Sequence, residues 1–270
     1  MEVNKVYNGD CIKVMQSIPD KFIDCIITSP PYWLQRDYGW TGQWGQEETY
    51  QEYLQNLFNM MEESKRILKD DGLVFINIGD GYARTGGKSL GKKQPNALLG
   101  ATKRGIRGGN NKGVEGIKDK TLLQLPYRFS IGCIDRGWIL RNNIIWYKRN
   151  AMPESVKDRF TKAHENIFMF SKNPKYYFDK DLICGDVWDI PLTPNGTNHV
   201  AAYNSALIGR AILAGCRPNG IVLDMFSGSG TTGLRAIELG RNFIGIEGNK
   251  EYTDLANQRI DKKLAQLKLF

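Results

Sequence analysis

Two short segments of the sequence carry residue types whose spacing suits chemistry on a bound molecule. The first is Ser29, Pro30, Pro31 and Tyr32, directly after the strand-like run at residues 22–28. Two prolines lock the backbone and remove two N–H donors, so carbonyl and hydroxyl acceptors remain beside an aromatic ring. We take these four as candidate catalytic residues, although a rigid turn that closes a strand and packs its ring into the core would use the same residue types.

The second segment lies near the other end of the chain and has the pattern strand, glycine-rich turn, helix start. It covers residues 221–232, where Gly228 and Gly230 allow a tight turn and close backbone approach to a ligand. The N-terminus of the following helix offers N–H groups to a carboxylate or phosphate. The candidate cofactor-binding residues of this segment are Asp224, Phe226, Ser227, Gly228, Ser229, Gly230 and Thr231.

An acidic residue at the end of the next expected strand narrows the ligand class. Glu247 can accept hydrogen bonds from both hydroxyls of a ribose, and the turn lacks the lysine of a triphosphate-binding loop. We therefore expect a nucleoside with a small charged arm. The amino-acid arm of S-adenosylmethionine fits better than a dinucleotide, although these residues alone also allow NAD or a plain strand–helix turn.

Together the two segments suit transfer of an activated methyl group to an exocyclic amine of a base. Ser29 Oγ and the Pro30 carbonyl can accept the two amino hydrogens while the Tyr32 ring stacks on the base. Such an amine is a weak nucleophile because its lone pair is conjugated into the ring. Acceptors on both N–H groups localise that lone pair and stabilise the cation that forms, which is catalysis by positioning and electrostatics.

Apolar runs rich in β-branched residues alternate with helical patterns along the chain. Strands are expected at residues 22–28, 73–78, 139–147, 166–170, 221–224 and 243–247, and helices at 50–68, 231–239 and 251–267. Thr49 and Glu52 form a capping box for the first helix, and Gly72 and Gly240 are expected to end the first two. This alternation predicts a mostly parallel α/β sheet that binds ligands at the carboxyl ends of its strands.

The positive charge of the chain is concentrated in one segment. The 270 residues have a net charge of +8, and residues 84–120 carry ten Lys or Arg against two acids. The same segment holds nine glycines and almost no periodic apolar pattern. We expect a long irregular insertion that contacts a polyanion, while a solvated surface loop remains the alternative.

Composition disfavours several other classes of protein. No apolar run approaches the ~20 residues of a membrane helix, and the first residues lack the order of a secretion signal, so we expect a cytoplasmic protein. The five cysteines include no C-x-x-C pair, and the only histidines are His164 and His199. We therefore expect no structural zinc site and no metal cofactor.

Five blocks of the sequence resemble the amino-methyltransferases of bacterial restriction–modification systems, viruses and orphan regulators. The S-P-P-Y turn comes first and the F-S-G-S-G loop last, which is the order of their β-type permutation. The Y-N-G-D-C block implies adenine contacts by Asp10 and Cys11, and the H-V-A-A-Y block implies that His199 completes the cofactor pocket. Residues 143–148, 152–155 and 161–165 resemble a block near the target base. Gly248 departs from the pattern, because a larger residue usually follows the ribose acid.

The resemblance implies an S-adenosylmethionine-dependent enzyme that modifies double-stranded DNA. It implies a Rossmann-like, seven-stranded-type sheet with helices on both faces, in one catalytic domain over residues 1–270. Residues 84–120 are then a candidate target-recognition element, with Lys103, Arg104 and Arg107 as candidate DNA contacts. Residues 150–162 and 172–198 are secondary candidates for target recognition. The resemblance also implies a prokaryotic or viral origin. It leaves open a cognate restriction endonuclease, the recognition sequence and the oligomeric state.

The acceptor base follows from the first residue of the catalytic turn. In the family that this chain resembles, Ser at this position is associated with cytosine, and Asp or Asn with adenine. We therefore expect methylation of N4 of a flipped-out cytosine, with adenine N6 as the runner-up. A catalytically inactive nucleic-acid-binding homologue and an RNA methyltransferase remain alternatives. Trp40 and Trp44 could stack on bases, but we expect them to brace the loop after the turn.

Overall fold

A computed structural model describes most of the chain. The described residues are 1–38, 40, 42–83, 114, 116–182, 184–192 and 204–267. Most of the basic segment, including Lys103, Arg104 and Arg107, lies outside them, and so does His199. The expected roles of these four residues in DNA and cofactor binding therefore stay predictions.

The described residues form one eight-stranded sheet in the order β1-β8-β7-β2-β3-β5-β4-β6. Only β5 runs antiparallel to its neighbours β3 and β4, while the other pairs are parallel. The predicted mostly parallel α/β sheet is confirmed, with a short eighth strand, β6, added at one edge. The strands are β1 Lys5–Asn8, β2 Ile23–Thr28, β3 Leu68–Ile78, β4 Ile139–Tyr147, β5 His164–Ser171, β6 Val187–Asp189, β7 Ile221–Asp224 and β8 Asn242–Glu247.

Helices cover both faces of the sheet, as predicted. One apolar cluster joins α1, α2 and α3 to one face through residues such as Met15, Leu57 and Phe129. A second cluster joins α4, α5 and α6 to the other face, for example through Ile212 and Ile260. The helices are α1 Cys11–Met15, α2 Tyr50–Ile67, α3 Leu125–Asp135, α4 Ser205–Gly215, α5 Thr231–Glu238 and α6 Lys250–Leu267.

The central strand β2 is buried along its whole length because helices cover both of its faces. Ile26 belongs to the first apolar cluster, whereas Cys25 and Ile27 belong to the second. The alternation follows from the two-residue period of a strand, which sends successive side chains to opposite faces. This double burial fixes the end of β2, from which the Ser29–Tyr32 turn projects.

The limits of α2 agree with the prediction to within one residue, but the way in which the helix ends does not. Thr49 and Glu52 form the predicted capping box, with the Glu52 N–H donating to Thr49 Oγ1 at 3.2 Å. The helix then passes directly into β3, since Leu68 already has extended backbone angles. Gly72 lies inside β3, where an added Cβ would come within 2.8 Å of the Asp24 carbonyl oxygen. The prediction that Gly72 ends the helix in a left-handed conformation is therefore wrong: the glycine allows close strand packing.

The sheet brings the two chemically interesting segments to one edge. Strands β8, β7, β2 and β3 are parallel, so their carboxyl ends meet at the same edge. The antiparallel β5 brings its first residues there. The glycine-rich loop follows β7 and the Ser29–Tyr32 turn follows β2, its direct neighbour in the sheet. Both segments thus occupy the edge where α/β sheets bind ligands.

Candidate active site

The glycine-rich loop after β7 has the backbone that its sequence predicts. Gly228 and Gly230 have φ angles of +51° and +82°, in the left-handed region that favours glycine. An added Cβ on Gly228 would meet no atom within 4 Å, so this part of the loop borders open space. Gly230 directly precedes α5, which begins at Thr231. The loop therefore places N–H groups and an approachable backbone beside open space.

Asp224 is the internal anchor of this loop. It is 3% exposed, and Oδ1 accepts hydrogen bonds from Thr28 Oγ1 at 2.7 Å and from the Phe226 N–H at 3.1 Å. Its Oδ2 accepts a hydrogen bond from Thr232 Oγ1 at 2.5 Å. Burial raises the pKa of Asp224, and these three hydrogen bonds oppose the shift. The carboxylate thus joins the end of β2 to the cofactor loop and the first turn of α5, and its predicted contact with a cofactor stays a prediction.

The serines of the loop face the protein. Ser227 is buried, its N–H donates to the Ile246 carbonyl at 2.9 Å, and its side chain lies against Gly245. Ser229 receives two hydrogen bonds from Arg259 Nη1, at 2.5 Å to its carbonyl and 3.0 Å to Oγ. Arg259, on α6, is a residue that the sequence analysis missed, because nothing local connects it to a loop 30 positions earlier. It braces the loop from outside.

Glu247 ends β8 beside the loop, as predicted. Its Oε2 accepts a hydrogen bond from the Gly228 N–H at 2.8 Å, and its Oε1 accepts one from the Asn249 N–H at 2.8 Å. Burial is the main cause that raises the pKa of Glu247. Each oxygen of a carboxylate has two lone pairs, so both retain acceptor capacity for a second partner. Glu247 can therefore receive two ribose hydroxyls next to the open space at Gly228.

Asp10 and Cys11 lie on the neighbouring strand connection. β1 pairs with β8 so that Asn8 is opposite Glu247, and Asp10 follows two residues later. Asp10 caps α1 through a hydrogen bond from the Lys13 N–H to its Oδ1 at 3.2 Å. Cys11 is buried in the core, and burial raises the pKa of its thiol well above the usual range. Asp10 is thus near Glu247, the predicted ribose acid, while Cys11 can offer only an apolar surface.

The Ser29–Tyr32 turn is held by residues from two other strands. The Tyr32 hydroxyl lies 2.9 Å from Glu165 Oε2 and 3.0 Å from Asn77 Oδ1 and can donate its one proton to either, while Ser29 Oγ donates to the Tyr32 hydroxyl at 3.3 Å. The ring lies against the backbone of Gly79, where an added Cβ would be 2.5 Å from Cε2. These contacts fix the plane of the ring, and Ser29 keeps its lone pairs as acceptors because its own proton points toward Tyr32.

A cavity of about 340 Å³ opens beside this turn, at the ends of β3 and β4 and the start of β5. Lys148 and Glu165 form an ion pair in its wall. Burial raises the pKa of Asp80 and lowers the pKa of Lys162, so both are less readily charged than usual. The cavity thus offers donors, acceptors and the Tyr127 ring to a molecule of about the size of a base.

The loop after the turn packs on the cofactor loop. Trp44 is 8% exposed and meets the Phe226 ring edge-on, with ring centroids 5.2 Å apart. Trp33 Nε1 donates to the Glu47 carbonyl at 3.0 Å, and the Leu34 N–H donates to the Gly45 carbonyl at 2.7 Å. The interpretation that Trp44 braces this loop is confirmed. The contact also links the loop after the Ser29–Tyr32 turn to the glycine-rich loop.

Within the described ranges, no group of three His, Cys, Asp or Glu side chains has the arrangement of a metal site. Four of the five cysteines are buried and Cys184 is exposed, and none of the five is in a disulfide. None of the helices that the structure describes is both long enough and apolar enough to cross a bilayer.

The strand order and the two loops define the class of the protein as a methyltransferase-type α/β domain. The PvuII DNA methyltransferase (cytosine-N4-specific) has the same fold, with a TM-score of 0.71 at 21% identity, covering 96% of this chain and 90% of that one. The M1.HpyAVI–SAM complex has a TM-score of 0.59 at 22% identity, covering 94% of this chain and 98% of that one.

Sequence comparison gives the family. A model described as DNA methylase, for N6 and N4 methyltransferases, matches residues 23–258. The Type II methyltransferase M.SmaI of Serratia marcescens is 40% identical over 269 residues, which cover 95% of this chain and 90% of the relative. M.Cfr9I of Citrobacter freundii is 39% identical over 266 residues, which cover 94% and 87%. The chain therefore belongs to the DNA methylase family of N6 and N4 methyltransferases.

Proposed function

We propose that this protein transfers a methyl group from S-adenosylmethionine to the exocyclic N4 of a cytosine that has been flipped out of double-stranded DNA. The observation that carries the proposal is the direct link between the two halves of the site. Thr28, which immediately precedes the catalytic turn, is hydrogen-bonded to Asp224, which anchors the cofactor loop. A rigid link of this kind holds a methyl donor and an amine acceptor in a fixed relation, which is the main requirement of a positioned transfer.

The residues at the glycine-rich loop fit S-adenosylmethionine. Glu247 accepts the ribose hydroxyls, the open side of Gly228 admits the nucleoside, and the N-terminal N–H groups of α5 face a carboxylate. Asp10 extends the site beyond the ribose acid. The cofactor, when bound, supplies a methyl group already activated by its sulfonium. The remaining task of the chain is to hold the acceptor amine in line with that methyl.

The catalytic turn performs this task with acceptors and an aromatic surface. Ser29 Oγ and the Pro30 carbonyl accept the amino hydrogens, and Tyr32 stacks on the base with its ring fixed by Glu165, Asn77 and Gly79. The adjacent cavity receives the rest of the flipped base. Acceptors that are already in position stabilise the positive charge developing on the amine without reorganising during the reaction.

Cytosine N4 is favoured over adenine N6 by Ser29 at the first position of the turn, and adenine N6 is the alternative. The PvuII DNA methyltransferase, which shares the fold, is cytosine-N4-specific, and this adds support for cytosine N4. Since relatives 39–40% identical are Type II methyltransferases, a role in restriction–modification, with or without a cognate endonuclease, fits this proposal.

Nucleoside analysis tests the acceptor directly. Unmethylated duplex DNA is incubated with the protein and isotopically labelled S-adenosylmethionine, digested to nucleosides and separated by mass spectrometry. Label in N4-methylcytosine is the expected result. Label in N6-methyladenine would support the alternative, and label only with RNA, or none with DNA of varied sequence, would overturn the proposal.

We predict that cofactor affinity depends on the ionisation of Glu247. The ribose hydroxyls donate to the carboxylate, so binding favours its charged form, and affinity should fall as the pH drops through the pKa of Glu247. Because burial raises that pKa, the fall should begin above the ordinary glutamate range. Glu247→Gln should bind about 1.5–3 kcal/mol more weakly at neutral pH, the scale of a charged hydrogen bond.

Calorimetry over a pH series measures both effects. The Glu247→Gln protein is the matched control, because any contribution from ionisable groups of the cofactor itself persists in it. A pH profile that is the same in both proteins would show that Glu247 does not bind the ribose.

We also predict that the basic segment contributes phosphate contacts. Neutralising Lys103, Arg104 and Arg107 together should weaken binding to all duplexes and flatten the log–log salt dependence by roughly two to three units, since each phosphate contact contributes about 0.9. Affinity for S-adenosylmethionine should not change. The measurement is fluorescence anisotropy of labelled duplexes at several salt concentrations.

A matched triple variant tests whether the effect depends on location. This variant replaces three exposed lysines, Lys5, Lys21 and Lys262, at the starts of β1 and β2 and near the end of α6. They lie toward the edge of the sheet opposite the one that carries the Ser29–Tyr32 turn and the glycine-rich loop. Their neutralisation changes the net charge by the same amount as the first triple variant does. It should leave the slope of the log–log salt dependence of DNA binding nearly unchanged. Equal slopes for both triple variants would move DNA recognition away from the basic segment, to residues 150–162 or 172–198.

A further inference from the structure

Gly248, the residue after the ribose acid, has no side chain, and a tryptophan from a distant loop fills the space beside it. A Cβ built on Gly248 would overlap the indole of Trp40 and would lie 2.7 Å from its Cε2 atom. The two residues are 208 positions apart in sequence, so neither local pattern predicts the contact. The indole therefore occupies the direction in which a side chain at position 248 would project.

This space is next to the position expected for the base of a bound nucleoside. Glu247 holds the 2′ and 3′ hydroxyls in the proposed function, and the base is attached to the carbon adjacent to the 2′ position. The strand β1 flanks the same point: the Gly9 N–H donates to the Glu247 carbonyl at 3.0 Å, and Asn8 Nδ2 donates to the Gly248 carbonyl at 3.2 Å. With Glu247 as the ribose acid, we place the base between the Gly248 backbone and the connection that carries Asp10.

A flat apolar surface is needed there, and Gly248, Asp10 and Cys11 supply little of it. Gly248 offers only backbone, Asp10 offers a carboxylate, and Cys11 is a small side chain that is already buried in the core. Adenine has two π-faces that gain free energy from aromatic contact. Trp40 is half-buried, so part of its indole remains accessible to a ligand.

The loop that carries Trp40 is held against the cofactor site without being locked there. Trp44 packs on Phe226, and the Tyr38 N–H donates to Gln43 Oε1 at 2.7 Å. A cavity of about 540 Å³ is lined by both Trp40 and Trp44, together with Glu47 and other residues of the loop. The indole therefore has room to adjust when a ligand enters, while Trp44 keeps the loop in place.

We propose that Trp40 supplies the aromatic surface on which the adenine ring of S-adenosylmethionine packs, in place of a side chain at residue 248. The inference rests on the proposed function, because it takes Glu247 as the ribose acid. It assigns to the loop after the catalytic turn a second role beyond bracing. The loop then joins the two substrates, since its first residues adjoin Tyr32 and its middle contacts the cofactor.

Calorimetric titration with S-adenosylmethionine tests the proposal. Trp40→Ala should weaken binding by about tenfold or more, within the range that loss of one base–aromatic stack produces. Trp40→Phe should lose less, because a smaller ring is kept. The same factor is expected with 5′-methylthioadenosine, which has the adenine and ribose but lacks the amino-acid arm. A loss confined to S-adenosylmethionine would place Trp40 at the arm and overturn the proposal.

A compensating substitution separates a direct contact from general loop damage. Leucine at position 248 clashes with the indole in the parent, so Gly248→Leu alone should weaken binding. In the Trp40→Ala background the same leucine has space and should recover at least part of the lost affinity. Phe160→Ala is the matched control: that ring is 97% exposed, lies in the connection between β4 and β5, and should leave cofactor affinity unchanged.

Three outcomes would count against the role of Trp40. Unchanged affinity in Trp40→Ala would show that adenine does not meet the indole, and tighter binding would show that the indole occupies the nucleoside space. Failure of leucine at position 248 to restore any affinity would assign the effect to the loop. If the parent bound neither probe, the proposed function would itself fail. If the Trp40→Ala protein is unstable, Trp40→Phe is used instead, provided that its thermal transition matches that of the parent.

Discussion

Replacing Asp224 by alanine is expected to lower the free energy of unfolding by about 3–5 kcal/mol, because it leaves three donors without their shared acceptor. Those donors are Thr28 Oγ1, Thr232 Oγ1 and the Phe226 N–H, and they belong to three different segments. Their loss should also uncouple the catalytic turn from the cofactor loop. Affinity for S-adenosylmethionine should fall even in the fraction of the protein that remains folded.

The conservative variant distinguishes shape from charge. Asp224→Asn keeps one oxygen for Thr28 and Phe226, and the Thr232 hydroxyl can rotate to accept from the new amide. Burial raises the pKa of Asp224, which means that the charged form is costly to bury, so the neutral amide recovers part of what it loses. We expect a smaller loss than for alanine.

Urea denaturation measures these free energies, and a double-mutant cycle with Thr28→Val isolates the bond between the two strands. The expected coupling is about 0.5–3 kcal/mol, the range for residues that share a hydrogen bond. An alanine variant as stable as the parent, with unchanged cofactor affinity, would show that the loop is organised without this carboxylate.

The sheet could be predicted because its strands leave a local signal. Strand β4 begins and ends at the predicted residues, and β2, β7 and β8 differ from prediction by at most one residue. These strands are buried on both faces or end in polar residues, so short apolar runs in the sequence mark where each strand begins and ends. The structure starts β3 at Leu68, earlier than predicted, because Leu68 pairs with Ile23 of β2. The charged residues 69–71 lie between this pair and the apolar run, where the register shifts.

The predicted elements leave out β1, β6, α1, α3 and α4. Helices α3 and α4 have eleven residues each, whereas the other three elements are short. Strand β6 has three residues and reaches the sheet only through β4, while α1 has five residues. Neither is long enough to show a period of its own. Their positions follow from tertiary contacts: Trp188 of β6 is buried against the second apolar cluster, and Met15 of α1 against the first.

In the candidate site, too, local sequence spacing predicts some features, whereas contacts between residues far apart in the sequence are not predictable from it. The glycine φ angles at Gly228 and Gly230 and the position of Glu247 follow from spacing, and the structure has them as predicted. The contact between Tyr32 and Glu165 spans 133 positions, so sequence spacing could not reveal it. The same holds for Arg259. Sequence gives the groups that do chemistry, whereas the groups that orient them depend on the order of strands in the sheet.

Ser29→Ala is expected to reduce the methyl-transfer rate by about 10²-fold, the order of effect when one preorganised hydrogen-bond partner of a transition state is removed. Ser29 lies one residue beyond Thr28, yet the two hydroxyls face different partners. The Thr28 hydroxyl donates to buried Asp224, whereas the half-buried Ser29 hydroxyl donates to Tyr32 and keeps its lone pairs available. Alanine at position 29 therefore removes an acceptor for the amine without orphaning a buried carboxylate.

Single-turnover kinetics with saturating DNA and S-adenosylmethionine measures this rate apart from binding. The loss should be confined to the rate, with cofactor affinity and the thermal transition close to those of the parent. Ser17→Ala removes an exposed hydroxyl that donates to the Val14 carbonyl at the end of α1, and it should leave the rate unchanged. A Ser29→Ala rate equal to that of the parent would show that Ser29 Oγ is not an acceptor for the amine.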